Sequence, residues 1–168
     1  NVDRLAISCV MEIDSSGEVV EYDIFESVIK SNIQMTYKKV NAILEENITA
    51  EGYEPYVEKL TLMKELAEIL RANKVRKGYI DFDIDEAKII TNEDGEAIDV
   101  KLRERGTGEK LIEDFMIAAN ETVANHIYQM DLPFVYRIHD VPKPEKVDDF
   151  MNLVRILGYK LEGRVNEL

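Results

Sequence analysis

The stretch EKLIEDFMIAANETVANHI, residues 109–127, predicts a long amphipathic helix, and its polar positions raise the question of which face is enclosed. At about 100° per residue, Asn120 and Ala124 fall within about 40° of Glu113 on the helical wheel, whereas Asp114 groups with a polar arc. We therefore predict that Glu113 and Asn120 lie on the enclosed face and that Asp114 faces solvent. Because an unpaired carboxylate is costly to bury, Glu113 either pairs with a basic residue or a chain end, or lines a channel or ligand site. The pattern leaves both open.

The elements on either side of this helix alternate between strand and helix patterns. Two apolar runs joined by SSGE predict a first hairpin, and two alternating runs about Asp94-Gly95 predict a second. Helical spacing and end signals predict a short helix opened by Thr36 and a last helix from Pro144 to Gly158. We predict an α+β fold, with an antiparallel or mixed sheet packed with several helices, in a single domain over residues 1–168. The remaining predicted elements are a helix at about 54–73 and a strand at 134–139.

Composition narrows the class of protein. The 168 residues carry a net charge of −13, which argues against a domain that binds nucleic acid through an overall positive field. No apolar run approaches membrane-spanning length, so we expect no membrane partner. The lone Cys9 makes an intracellular, cytoplasmic location the default expectation. Because the chain enters a core-like strand directly after Asn1, we also expect a fragment of a longer protein.

Several polar motifs allow more than one interpretation. RGTGEK, residues 105–110, predicts a turn entering a helix, although its backbone N–H groups are of a kind that favours phosphate. Tyr37 and Phe82 are stacking aromatics for bases or ordinary core residues, and His139 contacts a ligand or stabilises a turn. Two basic clusters serve either local structure or phosphate binding. They comprise Arg71, Lys74, Arg76 and Lys77 in one case, and Lys101, Arg103 and Arg105 in the other.

Five segments, in one order along the chain, resemble the central part of the catalytic domain of the ribonuclease II/ribonuclease R family. They are DRLAISCVMEID, ESVIKSNIQMTYKKV, IDFDIDEAKI, KLIEDFMIAAN and FVYRIHDVPKPEKVDDF, and together they span about residues 3–163. LIEDFMIAAN followed by YRIHDVP is the strongest match, and the GYIDFD run favours the ribonuclease R branch. The resemblance implies an incomplete RNB-type catalytic domain from a processive, magnesium-dependent 3′→5′ exoribonuclease that hydrolyses single-stranded RNA to nucleoside 5′-monophosphates.

The resemblance also assigns roles to particular residues. Tyr37 is similar to a family tyrosine that contacts RNA near the 3′ end, and Phe82 to an aromatic that stacks on the terminal bases. Glu113 is similar to a glutamate near the terminal nucleotide, where the sugar is sensed. Asn120 and His139 are added as further RNA-binding candidates.

The metal-binding aspartates and a later arginine motif of the family have no counterpart in this sequence. The resemblance therefore implies that the Mg²⁺ ligands lie outside the chain and that the chain alone is inactive. The competing hypotheses are a non-catalytic RNA-binding or protein-interaction module with the same fold, and a purely structural acidic domain.

Overall fold

The chain forms two small antiparallel sheets and four α-helices. The computed structural model describes residues 2–81, 87–102, 105–138 and 140–160. The α+β prediction is confirmed, and the described strands are all antiparallel, in two two-stranded sheets of order β1-β2 and β3-β4. In chain order the elements are β1 (Asp3–Ile13), β2 (Val19–Lys30), α1 (Tyr37–Glu46), a 3₁₀ turn (Glu54–Tyr56), α2 (Val57–Arg76), β3 (Ala87–Thr91), β4 (Ala97–Leu102), α3 (Thr107–Gln129) and α4 (Pro144–Ile156).

The first hairpin is closed by a tight turn that also docks onto α2. Asp14 Oδ1 accepts hydrogen bonds from the backbone N–H groups of Ser16 (2.8 Å) and Glu18 (3.0 Å), which fixes the reversal of the chain. Gly17 has a φ of +84°, and a Cβ there would lie 2.9 Å from both Ile69 O and Asn73 Cβ. Asn73 Nδ2 donates to Gly17 O at 2.7 Å in a buried contact. Only glycine therefore fits between this turn and α2.

The apolar core lies where α1, the 3₁₀ turn and α2 meet. Val40, Ile43, Tyr53 and Leu60 form one buried cluster, and Leu111 of α3 is only 3% exposed. The Tyr53 hydroxyl accepts a hydrogen bond of 3.2 Å from the backbone N–H of Thr36, the residue that precedes α1. Thr36 makes no side-chain cap, so its predicted position is right and its predicted capping role is wrong.

The buried face of α3 is not the face that the helical wheel selected. Leu111, Asp114 and Thr122 are buried, and they fall about 100–180° round the helix from Glu113. Asn120 is exposed, so the predictions of an enclosed Asn120 and a solvent-facing Asp114 are both wrong. The wheel failed because a charged residue occupies the centre of the buried face, and its ionic partners lie on α2, remote in sequence.

The second hairpin turns where it was predicted. Asn92 Oδ1 accepts the backbone N–H groups of Asp94 (3.1 Å) and Glu96 (2.9 Å), and Gly95 takes a φ of +83°.

The chain divides into two compact units, residues 1–132 and 133–168, so the single domain stays a prediction. In the second unit, α4 begins at Pro144 and Gly158 follows its end with a φ of +85°, as predicted.

The predicted strand at 134–139 is wrong over its described residues, 134–138, which have no regular structure. Alternation alone does not form a strand without a neighbouring strand to pair with. Phe134 and Tyr136 instead pack edge to face, with ring centroids 5.4 Å apart.

Candidate functional site

An apolar groove opens beside Tyr37 at the start of α1. Its volume is about 600 Å³, and residues from three helices line it: Met35, Thr36, Tyr37, Val40, Tyr56, Lys59, Leu60, Met63, Gly108, Leu111 and Ile112. The Tyr37 side chain is partly exposed, at 47% for the residue. A Cβ on Gly108 would lie 3.5 Å from Tyr37 Cδ1 and 2.9 Å from Asn41 Oδ1, so α1 and the first turn of α3 approach closely there. The groove therefore brings Tyr37 against the first turn of α3, and its lining does not include Glu113.

The first turn of α3 already has anionic and polar partners for its backbone N–H groups. Glu45 Oε1 accepts from Thr107 N at 2.6 Å, Asn41 Oδ1 accepts from Gly108 N at 2.6 Å, and Glu109 Oε2 accepts from Gly106 N at 3.1 Å. Hydrogen bonding to Thr107 lowers the pKa of Glu45 from its usual value. RGTGEK is thus a turn entering a helix, as predicted, and the two carboxylates occupy donors that a phosphate would need.

Asp114 is the buried anion that joins α2 to α3. Its side chain is 1% exposed and lies 3.0 Å from Arg71 Nε and 2.7 Å from Lys74 Nζ. The Lys74 ammonium also lies 4.3 Å from the centroid of the Tyr79 ring, an arrangement that favours a cation. A carboxylate so enclosed needs compensating charge, and two cations one helical turn apart on α2 supply it.

A second group of ion pairs extends from the buried Asp114 to partly exposed side chains. Asp81 accepts from Arg71 Nη1 at 3.0 Å and from Arg105 Nη1 at 3.1 Å. Arg105 also binds Glu113 Oε2, through Nε at 3.2 Å and through Nη2. The hydrogen bond from Arg105 lowers the pKa of Asp81, and the hydrogen bonds to Glu113 and Asp81 raise the pKa of Arg105. We call Arg71, Lys74, Asp81, Arg105, Glu113 and Asp114 the charge network.

The two carboxylate oxygens of Glu113 differ in their hydrogen bonds. Oε2 accepts from the Arg105 guanidinium, whereas Oε1 accepts a long hydrogen bond of 3.5 Å from the Tyr79 hydroxyl. The side chain is 33% exposed. The structure therefore shows the pairing with a basic residue that was one of the two sequence hypotheses, and the long contact to Tyr79 leaves Oε1 with acceptor capacity.

The structure describes three of the five predicted RNA-binding residues. Tyr37 lines the groove between α1 and α3, Glu113 is bound by Arg105 on another face of α3, and Asn120 is exposed farther along that helix. Phe82 and His139 lie outside the described residues, although Asp81, the residue before Phe82, belongs to the charge network. The RNA-binding roles of all five stay predictions.

The first basic cluster is used inside the protein. Arg71 and Lys74 pair with Asp114, Lys77 pairs with Glu18 at 2.8 Å, and Arg76 donates to the backbone oxygen of Ser16. In the second cluster, Arg105 binds Asp81 and Glu113, Lys101 lies 3.7 Å from Asp99, and Arg103 is outside the described residues. These cations have structural partners, which favours local structure over phosphate binding for the paired residues.

Sequence reasoning missed Asp81, Tyr79 and Asp114 as members of the site. β3 begins only at Ala87, so Asp81 is not in a described strand. No spacing rule links Asp81 to Arg105 or Asp114 to Arg71, because these pairs are formed by tertiary packing. The only available signal was two groups of cations in a strongly acidic chain.

The described part of the chain contains neither a metal-binding group nor a membrane-spanning helix. Within it, no group of three or more His, Cys, Asp or Glu side chains is placed to coordinate a metal ion. The carboxylates of the charge network are instead neutralised by arginine and lysine, so they do not fit a magnesium site. The same part of the chain contains no helix with both the length and the apolar character needed to cross a membrane.

Comparisons with known proteins identify relatives along nearly the whole chain. The RNB domain family matches residues 1–167. Ribonuclease R 1 of Lactococcus lactis is 44% identical over 166 residues, which are 98% of this chain and 20% of that protein. Ribonuclease R of Thermotoga maritima is 45% identical over 159 residues, which are 94% of this chain and 22% of that protein. This chain thus spans about a fifth of the length of these curated relatives.

A solved structure shows the same fold. Mycoplasma genitalium RNase R in complex with double-stranded RNA superposes with a TM-score of 0.90 at 23% identity, covering 99% of this chain and 30% of that one.

Proposed function

This chain belongs to the RNB domain family, and from that membership we propose that it forms part of the catalytic domain of a processive 3′→5′ exoribonuclease. The proposed substrate is single-stranded RNA, and the proposed products are nucleoside 5′-monophosphates. The support is the identity of 44–45% to ribonuclease R proteins over nearly all of this chain. A cytoplasmic location is part of the proposal, consistent with the free thiol of Cys9.

The observation that carries the proposal for this chain is the accessible oxygen of Glu113. A sugar 2′-hydroxyl donates one hydrogen bond, and a fixed carboxylate oxygen is a strong acceptor for it. Glu113 Oε1 is available for that bond while Oε2 is bound by Arg105. Tyr37 lines the groove with Gly108 and Leu111, whereas Glu113 lies about 140–160° round α3 from these two residues, so the ring and this acceptor are proposed as separate contacts along α3. We propose that this end of α3 binds the terminal nucleotides and senses the sugar, with Phe82, Asn120 and His139 as further contacts.

We propose that the magnesium ion of the family is bound by residues outside this chain. The three acids of the charge network are paired with basic side chains, and the described residues contain no group of side chains placed to bind a metal ion. The contribution proposed for this chain is to bind and orient RNA.

The test compares the 168-residue chain with the full-length protein on a single-stranded RNA labelled at its 5′ end. With Mg²⁺ present, we expect the full-length protein to shorten the RNA from its 3′ end and to release nucleoside 5′-monophosphates, and we expect no release by the chain alone. Metal-dependent release by the chain alone would contradict the assignment of the ion. Binding without hydrolysis by the full-length protein would instead favour a non-catalytic RNA-binding module.

A further inference from the structure

Arg105 joins the two parts of the proposed sugar-sensing site. Its Nη1 lies 3.1 Å from Asp81 Oδ1, and its Nε lies 3.2 Å from Glu113 Oε2. Asp81 immediately precedes Phe82, and Glu113 lies on α3. One guanidinium group therefore connects Asp81 to the carboxylate proposed to read the sugar.

Asp81 is also bound by Arg71, which in turn pairs with the buried Asp114. Arg71 donates to Asp81 through Nη1 and to Asp114 through Nε, both at 3.0 Å. Asp114 is buried between α2 and α3, where ion pairs are little screened by water. Asp81 is therefore bound by two arginines. Through Asp81 and Arg71, Arg105 is connected to α2 as well as to α3.

We propose that Arg105 is a positioning residue for RNA recognition: it holds Glu113 through Oε2, so that Oε1 stays available to the terminal sugar, and Asp81 in turn holds the Arg105 guanidinium in place. This inference rests on the proposed function of Glu113. The planar guanidinium suits the task because its N–H groups bind two carboxylates in a rigid geometry. A lysine supplies the charge without that geometry.

A direct contact of Arg105 with an RNA phosphate is the alternative. The Arg105 side chain is 36% exposed, so the two roles must be separated by measurement. A phosphate contact strengthens binding of RNA and DNA alike, and its loss reduces the salt dependence of single-strand binding by about 0.7 in the log–log slope. A positioning role changes the preference for ribose and leaves that slope unaltered.

The experiment measures dissociation constants of the full-length protein, in EDTA, for two fluorescein-labelled oligonucleotides. One is single-stranded RNA, and the other has 2′-deoxyribose in its 3′-terminal nucleotides only. The variants are Arg105→Ala, Arg105→Lys, Glu113→Ala and the double alanine variant. Arg155→Ala is the matched control, because Arg155 is an exposed arginine that donates a hydrogen bond to Asn152 of the same helix. Melting temperature and salt slope are recorded for each variant.

We expect Arg105→Ala to reduce the preference for the ribose substrate by about ten- to a hundredfold, the size of one lost charge-assisted hydrogen bond. Glu113→Ala and the double variant should show a similar reduction, and Arg105→Lys should restore part of the preference. An Arg105→Ala variant that keeps the full preference while Glu113→Ala loses it would overturn the inference alone. Equal weakening for both oligonucleotides, with a lower salt slope, would overturn it in favour of a phosphate contact. Full preference retained by Glu113→Ala would overturn the proposed role of Glu113, and the inference with it.

Discussion

Removing the Asp114 carboxylate should destabilise the chain more than any other single change on the polar positions of α3. The side chain is 1% exposed and bridges Arg71 and Lys74, whose side chains are 23% and 14% exposed. In Asp114→Ala both cations stay largely enclosed without this anion, and breaking a buried pair in this way costs about 3–5 kcal/mol. Because Arg71 keeps Asp81 and both cations retain some solvent, we expect about 3 kcal/mol, the lower end of that range.

The assay is equilibrium urea unfolding of the 168-residue chain at neutral pH, followed by circular dichroism. Asp114→Asn preserves the volume and removes the charge, and we expect it to lose about 2 kcal/mol. Glu121→Ala is the matched control, since Glu121 is an exposed acid on the same helix and should stay within about 0.5 kcal/mol of the parent chain. An Asp114→Ala variant as stable as Glu121→Ala would refute the view that this ion pair joins α2 to α3.

Two further predictions concern the hairpin turn and the start of α3. Gly17→Ala should cost about 1–3 kcal/mol in urea unfolding, because the residue has a positive φ and its Cβ would lie 2.9 Å from Ile69 O. Gly52→Ala should cost less, because Gly52 has a similar φ of +83° with no atom within 4 Å of its Cβ, and equal costs would rule out the close approach to α2. Glu45→Gln should be less stable than the parent at neutral pH, and the difference should vanish on acidification below the usual glutamate value of 4.5. The sign follows because the pKa of Glu45 is lowered in the folded chain, so its stabilisation is present above the unfolded pKa and is lost as pH falls through the folded one. A difference in unfolding free energy that stays constant with pH would contradict the charged cap.

Local patterns were sufficient to predict most of the elements. The alternation around SSGE and around Asp94-Gly95 predicted both hairpins, and Pro144 and Gly158 marked the ends of α4. These signals work because turn geometry and helix ends depend on residues only a few positions apart. The segment 134–138 shows the limit, since an extended sequence becomes a strand only where another strand is available.

The site was less predictable because its defining contacts are remote in sequence. The helical wheel grouped Asp114 with a polar arc, and it had no means of pairing Asp114 with Arg71 and Lys74 on α2. It selected Glu113 as an unusual acid, and the structure gives that residue a basic partner and one accessible oxygen. The rest of the charge network, including the exposed Asp81, became visible only once the helices were packed.

The most direct test of the central claim is the rate at which the full-length protein and its Glu113→Ala variant hydrolyse single-stranded RNA relative to the same strand with 2′-deoxyribose at its 3′ end. Melting temperatures are recorded alongside. The account predicts that Glu113→Ala lowers the ratio of the two rates markedly while it shifts the melting temperature little, because Glu113 lies at the partly exposed edge of the charge network. An unchanged ratio, with or without a loss of stability, would contradict the claim that this carboxylate reads the terminal sugar.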